Sequence, residues 1–207
     1  MPKGCSNRTG AGKAATKKST KAVNEGKKGC PCPKTMEDKV KACDGGIYAE
    51  AKKANGGKDV KIVSGSPVGG FGGHADTAKG EVVIGPNPDT CSRAQTLLFE
   101  LNNIANGPNY NKIEKKAVAG DLNREQYIRA NEEIEYNGLM KVMKAYDSCK
   151  KKWCCEKSPC RYEWMRSAKN FNNYYNNFLA TSHKEYYGKV WDKDYKAIYE
   201  KKHPAKK

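Results

Sequence analysis

Residues 89–105 read Asp89-Thr-Cys-Ser-Arg-Ala-Gln-Thr-Leu-Leu-Phe-Glu-Leu-Asn-Asn-Ile-Ala105, and this stretch decides the fold. Asp89 or Thr90 offers a side-chain oxygen to the first unpaired amides of a helix, and Ser92 with Gln95 has the spacing of a capping box. Ala94, Leu97, Leu98, Leu101, Ile104 and Ala105 then fall on one helical face, until Asn106-Gly-Pro108 ends the run. A helix with such a stripe must bury it against other elements, so the chain needs a packed helical core.

Working outward from that helix, residues 111–119 form a short helix closed by Gly120. Asp121 caps a long one that runs through Ile128, Ile134, Leu139, Val142 and Met143 to Tyr146. The cysteine cluster at residues 149–160 makes a corner. Beyond it a tyrosine-rich helix starts at Arg161, with Trp164, Ala168, Phe171, Tyr175 and Phe178 at core spacing. A last short helix covers residues 192–202.

Upstream, residues 37–51 suit a short helix interrupted by Gly45-Gly46, while residues 59–63 and 80–85 alternate like strands. The glycine-rich stretch between them, residues 65–76, lacks the lysine and hydroxyl residue of a phosphate-binding loop. It reads as a long connection in a hairpin or small sheet. Residues 1–29 carry eight basic side chains against Glu25 alone and nothing large to bury, so a flexible basic tail is expected there. The fold class is therefore α+β and mostly α: a small β element packed on a bundle of about four helices. One cysteine-rich domain at residues 30–207 contains a glycine-rich β part (30–89) and a helical part (90–207).

The 39 basic against 23 acidic residues give a net charge of +16, a field that attracts polyanions such as nucleic acid, acidic lipid or an anionic cell wall. Lysine outnumbers arginine heavily, which argues against base reading, where bidentate arginine is the usual tool. No stretch of about 18 apolar residues exists, so no transmembrane segment is expected. The first 23 residues have no apolar core, so they are not read as a secretory signal peptide.

Nine cysteines occur, at 5, 30, 32, 43, 91, 149, 154, 155 and 160. None of their spacings is a C-x-x-C zinc knuckle, so disulfides are expected, with at least one in the corner cluster and one thiol left over. Disulfides persist in oxidising compartments, and the localisation expected is secreted, in the periplasm or a target cell. A reduced, intracellular nucleic-acid-binding protein would require these cysteines to be free.

Glu100 lies at the border of the apolar stripe, where desolvation raises a carboxyl pKa as a general acid or base requires. It shares a helix edge with Asn103. Glu132 and Glu135, three residues apart on the long helix, share a face; if that face meets Glu100, paired carboxylates can divide acid and base roles. His74, in the glycine-rich stretch, completes the candidate catalytic set, and a Cys91–His74 nucleophile pair is a further option that a disulfide would abolish. The bland alternative makes Glu100 a partner of Asn103 or a lysine, and the other glutamates an acidic surface patch.

The order of a strand at residues 81–85, a turn, a helix carrying Phe99-Glu100-Leu101-Asn102-Asn103 and a long acidic helix resembles the metallopeptidase-like, degenerate zincin domains of bacterial polymorphic toxins and type VI secretion effectors. The resemblance spans residues 80–147, with residues 99–103 in the frame of the H-E-x-x-H motif. It implies hydrolysis with Glu100 activating water. Phe99 and Asn103 stand where the zinc-binding histidines belong, so an ordinary zinc site is not expected and no cofactor is indicated. The function expected is a secreted antibacterial effector or toxin hydrolysing a cell-wall or protein substrate. Its expected partners are a secretion-machine carrier, a cognate immunity protein and an anionic cell wall or other polyanion. The alternative is a non-enzymatic basic binding protein held together by disulfides.

Overall fold

A computed structural model of the chain describes residues 31–67 and 72–204, so the tail expected at residues 1–29 lies outside the described residues. Helix α1 (Met36–Ala42) is capped by the Thr35 hydroxyl, and α2 (Ile47–Ala54) follows a turn in which Gly45 and Gly46 take positive φ. Three short strands, β1 (Lys61–Ser64), β2 (Gly73–Asp76) and β3 (Glu81–Ile84), form one sheet with β3 in the middle. β1 pairs with it in parallel and β2 antiparallel. The helical part contains α3 (Thr90–Ala105), α4 (Gly107–Val118), α5 (Arg124–Cys149), a 3-10 turn (Glu163–Ser167), α6 (Phe171–Asn177), α7 (Thr181–Asp194) and α8 (Lys196–Lys202). The result is a mostly α, α+β fold with disulfides, and no described helix is long and apolar enough to cross a membrane.

The organising element is α3. Asp89 accepts from the amides of Cys91 and Ser92, and Leu97, Leu98 and Leu101 are completely buried. Each buried leucine contributes about 1.5–3 kcal/mol relative to exposure. They meet Ile47 and Ala51 of α2, Val82 and Ile84 of β3, and Leu139, Val142 and Met143 of α5 in one core. α5 comes close to α3 because Gly138 has no side chain: a Cβ there would collide with the Asn102 amide. A second, smaller cluster joins Ala117, Tyr127, Trp191 and Tyr195.

Disulfides fasten the corner. Cys43–Cys149 ties the end of α1 to the end of α5, and Cys91–Cys155 ties the first turn of α3 to the loop after α5. Cys32 and Cys154 are disulfide-bonded as well, and Cys160 is a buried free thiol. Trp153, fully buried between these links, donates its indole N–H to the Cys43 carbonyl at 2.8 Å. The buried Lys39 ammonium donates to the carbonyls of Trp153 (2.7 Å) and Pro33 (2.9 Å), satisfying two oxygens that the corner leaves without helical partners.

Several local expectations differ. Gln95 makes no capping box; its amide is buried and accepts from the Arg161 backbone N–H at 2.7 Å, so tertiary contact outweighs local capping. The cap of α5 is Asn123, not Asp121, in a reciprocal box with Gln126. Asp121 instead pairs with Lys202. Gly107 and Pro108 open α4 rather than only closing α3, since proline in the first turn needs no amide partner. The single tyrosine-rich helix expected after Arg161 is broken into the 3-10 turn and α6, and Trp164 is 46% exposed instead of core. A third strand, β2, lies inside the stretch read as a connection.

Candidate active site

Glu100 sits in the third turn of α3, on the side that faces α5. Two turns of α5 present Glu132 and Glu135 toward it, and all three carboxyls are buried, Glu132 completely. The face anticipated from the three-residue spacing thus meets Glu100, and it is interior rather than a surface patch. Together α3, α4, α5, α7 and β2 enclose a cavity of about 320 Å³ whose lining includes Glu100, Asn103, Glu135, His74 and His183. Of the expected residues, only Glu132 stands behind the wall, reaching the cavity through His183.

The roof is β2. A Cβ on Gly73 would lie 2.7 Å from Glu100 Oε1 and 2.8 Å from the Thr96 methyl, so only glycine lets the strand approach the carboxyl this closely. His74 follows it in the strand, paired opposite Val83, rather than in a mobile loop. Cys91 is locked to Cys155, which removes the Cys91–His74 nucleophile pair.

Hydrogen bonds order the carboxyls unequally. Glu100 Oε2 accepts from the Asn103 amide at 3.3 Å, the partnership the bland reading named. Glu135 Oε1 accepts from the hydroxyls of Tyr187 (2.8 Å) and Tyr110 (3.4 Å), whereas its Oε2 is buried with no hydrogen-bond partner among the described residues. Glu132 faces His183 Nδ1 at 3.3 Å and the Tyr174 hydroxyl at 3.5 Å. The single Tyr110 proton is shared between Glu135 Oε1 and Asn103 Oδ1, which lies 3.3 Å from the hydroxyl.

Burial and like charge set the protonation. Desolvation first, and then the neighbouring Glu135, push the Glu100 carboxyl up to about 8, with Asn103 and His183 opposing. Burial also raises Glu135, with Glu132 adding to it and Tyr187 and His183 opposing. The His183 imidazole is raised chiefly by its bond to Glu132, against the desolvation that lowers it. Near neutral pH the cavity therefore holds a protonated carboxyl on α3 beside a second carboxyl on α5 and a histidine inclined to carry charge.

Sequence reasoning named Glu100, Asn103, Glu132, Glu135 and His74, and the structure brings all but Glu132 to the cavity lining. That reasoning missed His183, Tyr110 and Tyr187, which reach the site from α7 and α4. The available signal was the four-residue spacing of His183 and Tyr187, which puts both on one face of α7.

Among the described residues no group of three histidine, cysteine, aspartate or glutamate side chains is placed to hold a metal ion, and Phe99 faces the Tyr162 ring where a zincin would carry a ligand. No family model, no curated protein and no solved structure matches the chain.

Proposed function

We propose that this cavity is the active site of a secreted hydrolase, with Glu100 as proton donor and Glu135 as the base. The observation that carries the reading is a buried carboxyl held protonated to about pH 8 next to a second carboxyl with one oxygen unpaired, both facing a cavity of ligand size. In the reaction, the Glu135 carboxylate takes a proton from a water molecule as the water oxygen bonds to the electrophilic carbon. Glu100 delivers its proton to the leaving oxygen or nitrogen as that bond breaks. The two carboxyls have then exchanged protonation states, and proton transfer between them or through solvent restores the start. Tyr187 and Tyr110 hold the Glu135 carboxylate in one orientation.

The secreted setting is supported by the disulfides, because six of the seven described cysteines are bonded and such links persist in oxidising surroundings. The intracellular nucleic-acid reading required free cysteines, and that pairing speaks against it. The effector role and the choice of cell-wall or protein substrate rest on the resemblance of residues 80–147 to toxin domains. The basic surface suits a polyanionic target such as a cell wall.

The test is Glu100→Gln, which keeps the size and the bond to Asn103 but cannot deliver a proton. Hydrolysis of peptidoglycan or casein by the native chain should fall at least about a hundredfold, the usual weight of a general acid, with the fold intact. In the native protein the rate should also decline above about pH 8 as Glu100 ionises. A variant that retains full activity removes Glu100 from the chemistry, and a native chain inert on both polymers favours the non-enzymatic binding protein.

A further inference from the structure

Arg124 and Arg166 are paired with carboxylates, and Arg129 lies over the rings of Phe171 and Tyr175. Arg161, on the lining of the cavity, has no acidic partner among the described residues. Its guanidinium makes one hydrogen bond there, from Nη1 to the Ser92 hydroxyl at 3.0 Å, which leaves the edge formed by Nε and Nη2 open. The backbone beneath it is held from both sides by Gln95, which is completely buried. Gln95 Nε2 donates to the Pro159 carbonyl at 3.3 Å, and Gln95 Oε1 accepts from the Arg161 N–H at 2.7 Å. An arginine on so fixed a backbone loses little freedom when a ligand engages it.

The guanidinium shares a wall with the proton donor. A Cβ on Gly72 would lie 2.6 Å from Arg161 Nη2, and one on Gly73, the next residue of the chain, 2.7 Å from Glu100 Oε1; the Thr96 methyl is within 3.9 Å of both positions. Arg161 and Gly72 are exposed, whereas Glu100 and Gly73 are buried, so the cation stands at the open edge and the acid behind it. Glu100 is uncharged near neutral pH and Glu135 is turned to Tyr110 and Tyr187, so neither carboxyl occupies the open edge of Arg161.

Two parallel N–H donors on a planar fork match the two oxygens of a carboxylate. The other polar side chains of the lining are bonded to one another, Glu100 to Asn103 and both Asn103 and Glu135 to Tyr110, so a hydroxyl-rich sugar would find few partners. A peptide asks for fewer, and the field of a chain of net charge +16 draws acidic ones toward it.

We infer that Arg161 holds a substrate carboxylate, the side chain of an acidic residue in a peptide, beside the bond presented to Glu100. This rests on the cavity being the substrate site and deepens that reading: the substrate is an acidic peptide, and Arg161 selects it without moving a proton.

Isothermal titration of the full-length Glu100→Gln chain, which does not consume its ligand, tests this. The probes are a blocked alternating alanine–glutamate hexapeptide, its glutamine counterpart and trigalacturonic acid. The glutamate peptide should bind at least tenfold more tightly than either, the weight of one charge-assisted bond. Adding Arg161→Gln should erase the preference, and Arg161→Lys, which keeps the charge but not the fork, should retain only part of it. Should the glutamine variant misfold, the lysine variant decides, and an undiminished preference there overturns the inference. So does equal affinity for the two peptides, or binding of neither, even if Glu100-dependent hydrolysis of casein is seen. Tighter binding of trigalacturonic acid overturns it in favour of an acidic glycan. An Arg161-dependent preference in a chain whose native form hydrolyses no polymer leaves the carboxylate site standing and sinks the hydrolase.

Discussion

The cysteine corner and the carboxyl cavity are both buried on the same two long helices, yet they hold opposite kinds of energy. At the corner, Trp153, Tyr146 and Cys149 are packed apolar groups, the polar atoms are paired, and disulfides restrict the unfolded chain. At the cavity, three glutamates are withdrawn from water, one kept protonated by that withdrawal and one with an unpaired oxygen. The lesson is a division of labour. Cross-links and packing at one end of α3 and α5 offset the cost of an electrostatically unfavourable site further along the same helices.

Breaking the corner should have the largest effect. Cys43 and Cys149 are 106 residues apart, so in the chain-entropy picture their bond restricts the unfolded state by about 4–5 kcal/mol. Replacing both by alanine should lower the melting temperature by roughly 10 °C or more for a domain of this size. A change within a few degrees would show that packing, not cross-linking, carries the corner.

Relieving the cavity should work in the other direction. The Glu100 carboxyl is raised from 4.5 to about 8 in the fold, so the unfolded chain ionises first and stability declines between those values as pH increases. Glu100→Gln removes that loss. At pH 8 the variant should be more stable than the native protein by on the order of 2–3 kcal/mol, with the difference closing as pH falls toward 4.5, as followed by urea unfolding at several pH values. A variant equally or less stable at pH 8 would mean that Glu100 is not held protonated.

Gly73→Ala sharpens the comparison at the roof. The new methyl would press on Glu100 and Thr96, and we expect a loss of about 1–3 kcal/mol together with reduced activity, because β2 must move away from the carboxyl. Unchanged activity would separate the strand from the site.

The smallest effect is His183→Gln. Its folded pKa is raised by Glu132, so its stabilising contribution is complete below the ordinary value of 6.5 and is lost as pH increases through the folded value. The variant should be less stable than the native protein at pH 5.5 and close to it at high pH. Thermal melts at both ends of that range would check it, and a loss independent of pH would assign His183 to packing instead.

How much of this was legible follows from the reach of each signal. The stripe from Ala94 to Ile104 and the break at Gly45-Gly46 are local, and both stand in the structure. The edge position of Glu100 and the shared face of Glu132 and Glu135 are properties of single helices, so periodicity sufficed to name them. β2 was hidden because Gly73-His-Ala-Asp76 has no alternation to read; it becomes a strand through its pairing with β3. The tyrosine run misled because residues at helical spacing are core only if the backbone is one helix, and the 3-10 turn interrupts it.

By itself the sequence determined the helical character, the basic surface, the presence of disulfides and the identity of three acidic residues worth testing, all of which depend on composition or on neighbours within a few turns. Only the tertiary structure decided which cysteines pair, that the acidic face of α5 turns inward onto Glu100, and that Tyr110, Tyr187 and His183 complete the wall. The physical reason is desolvation. A carboxyl acquires its chemistry from what excludes water around it, and here those groups come from α3, α4, α5, α7 and β2, elements that meet only when the chain is folded.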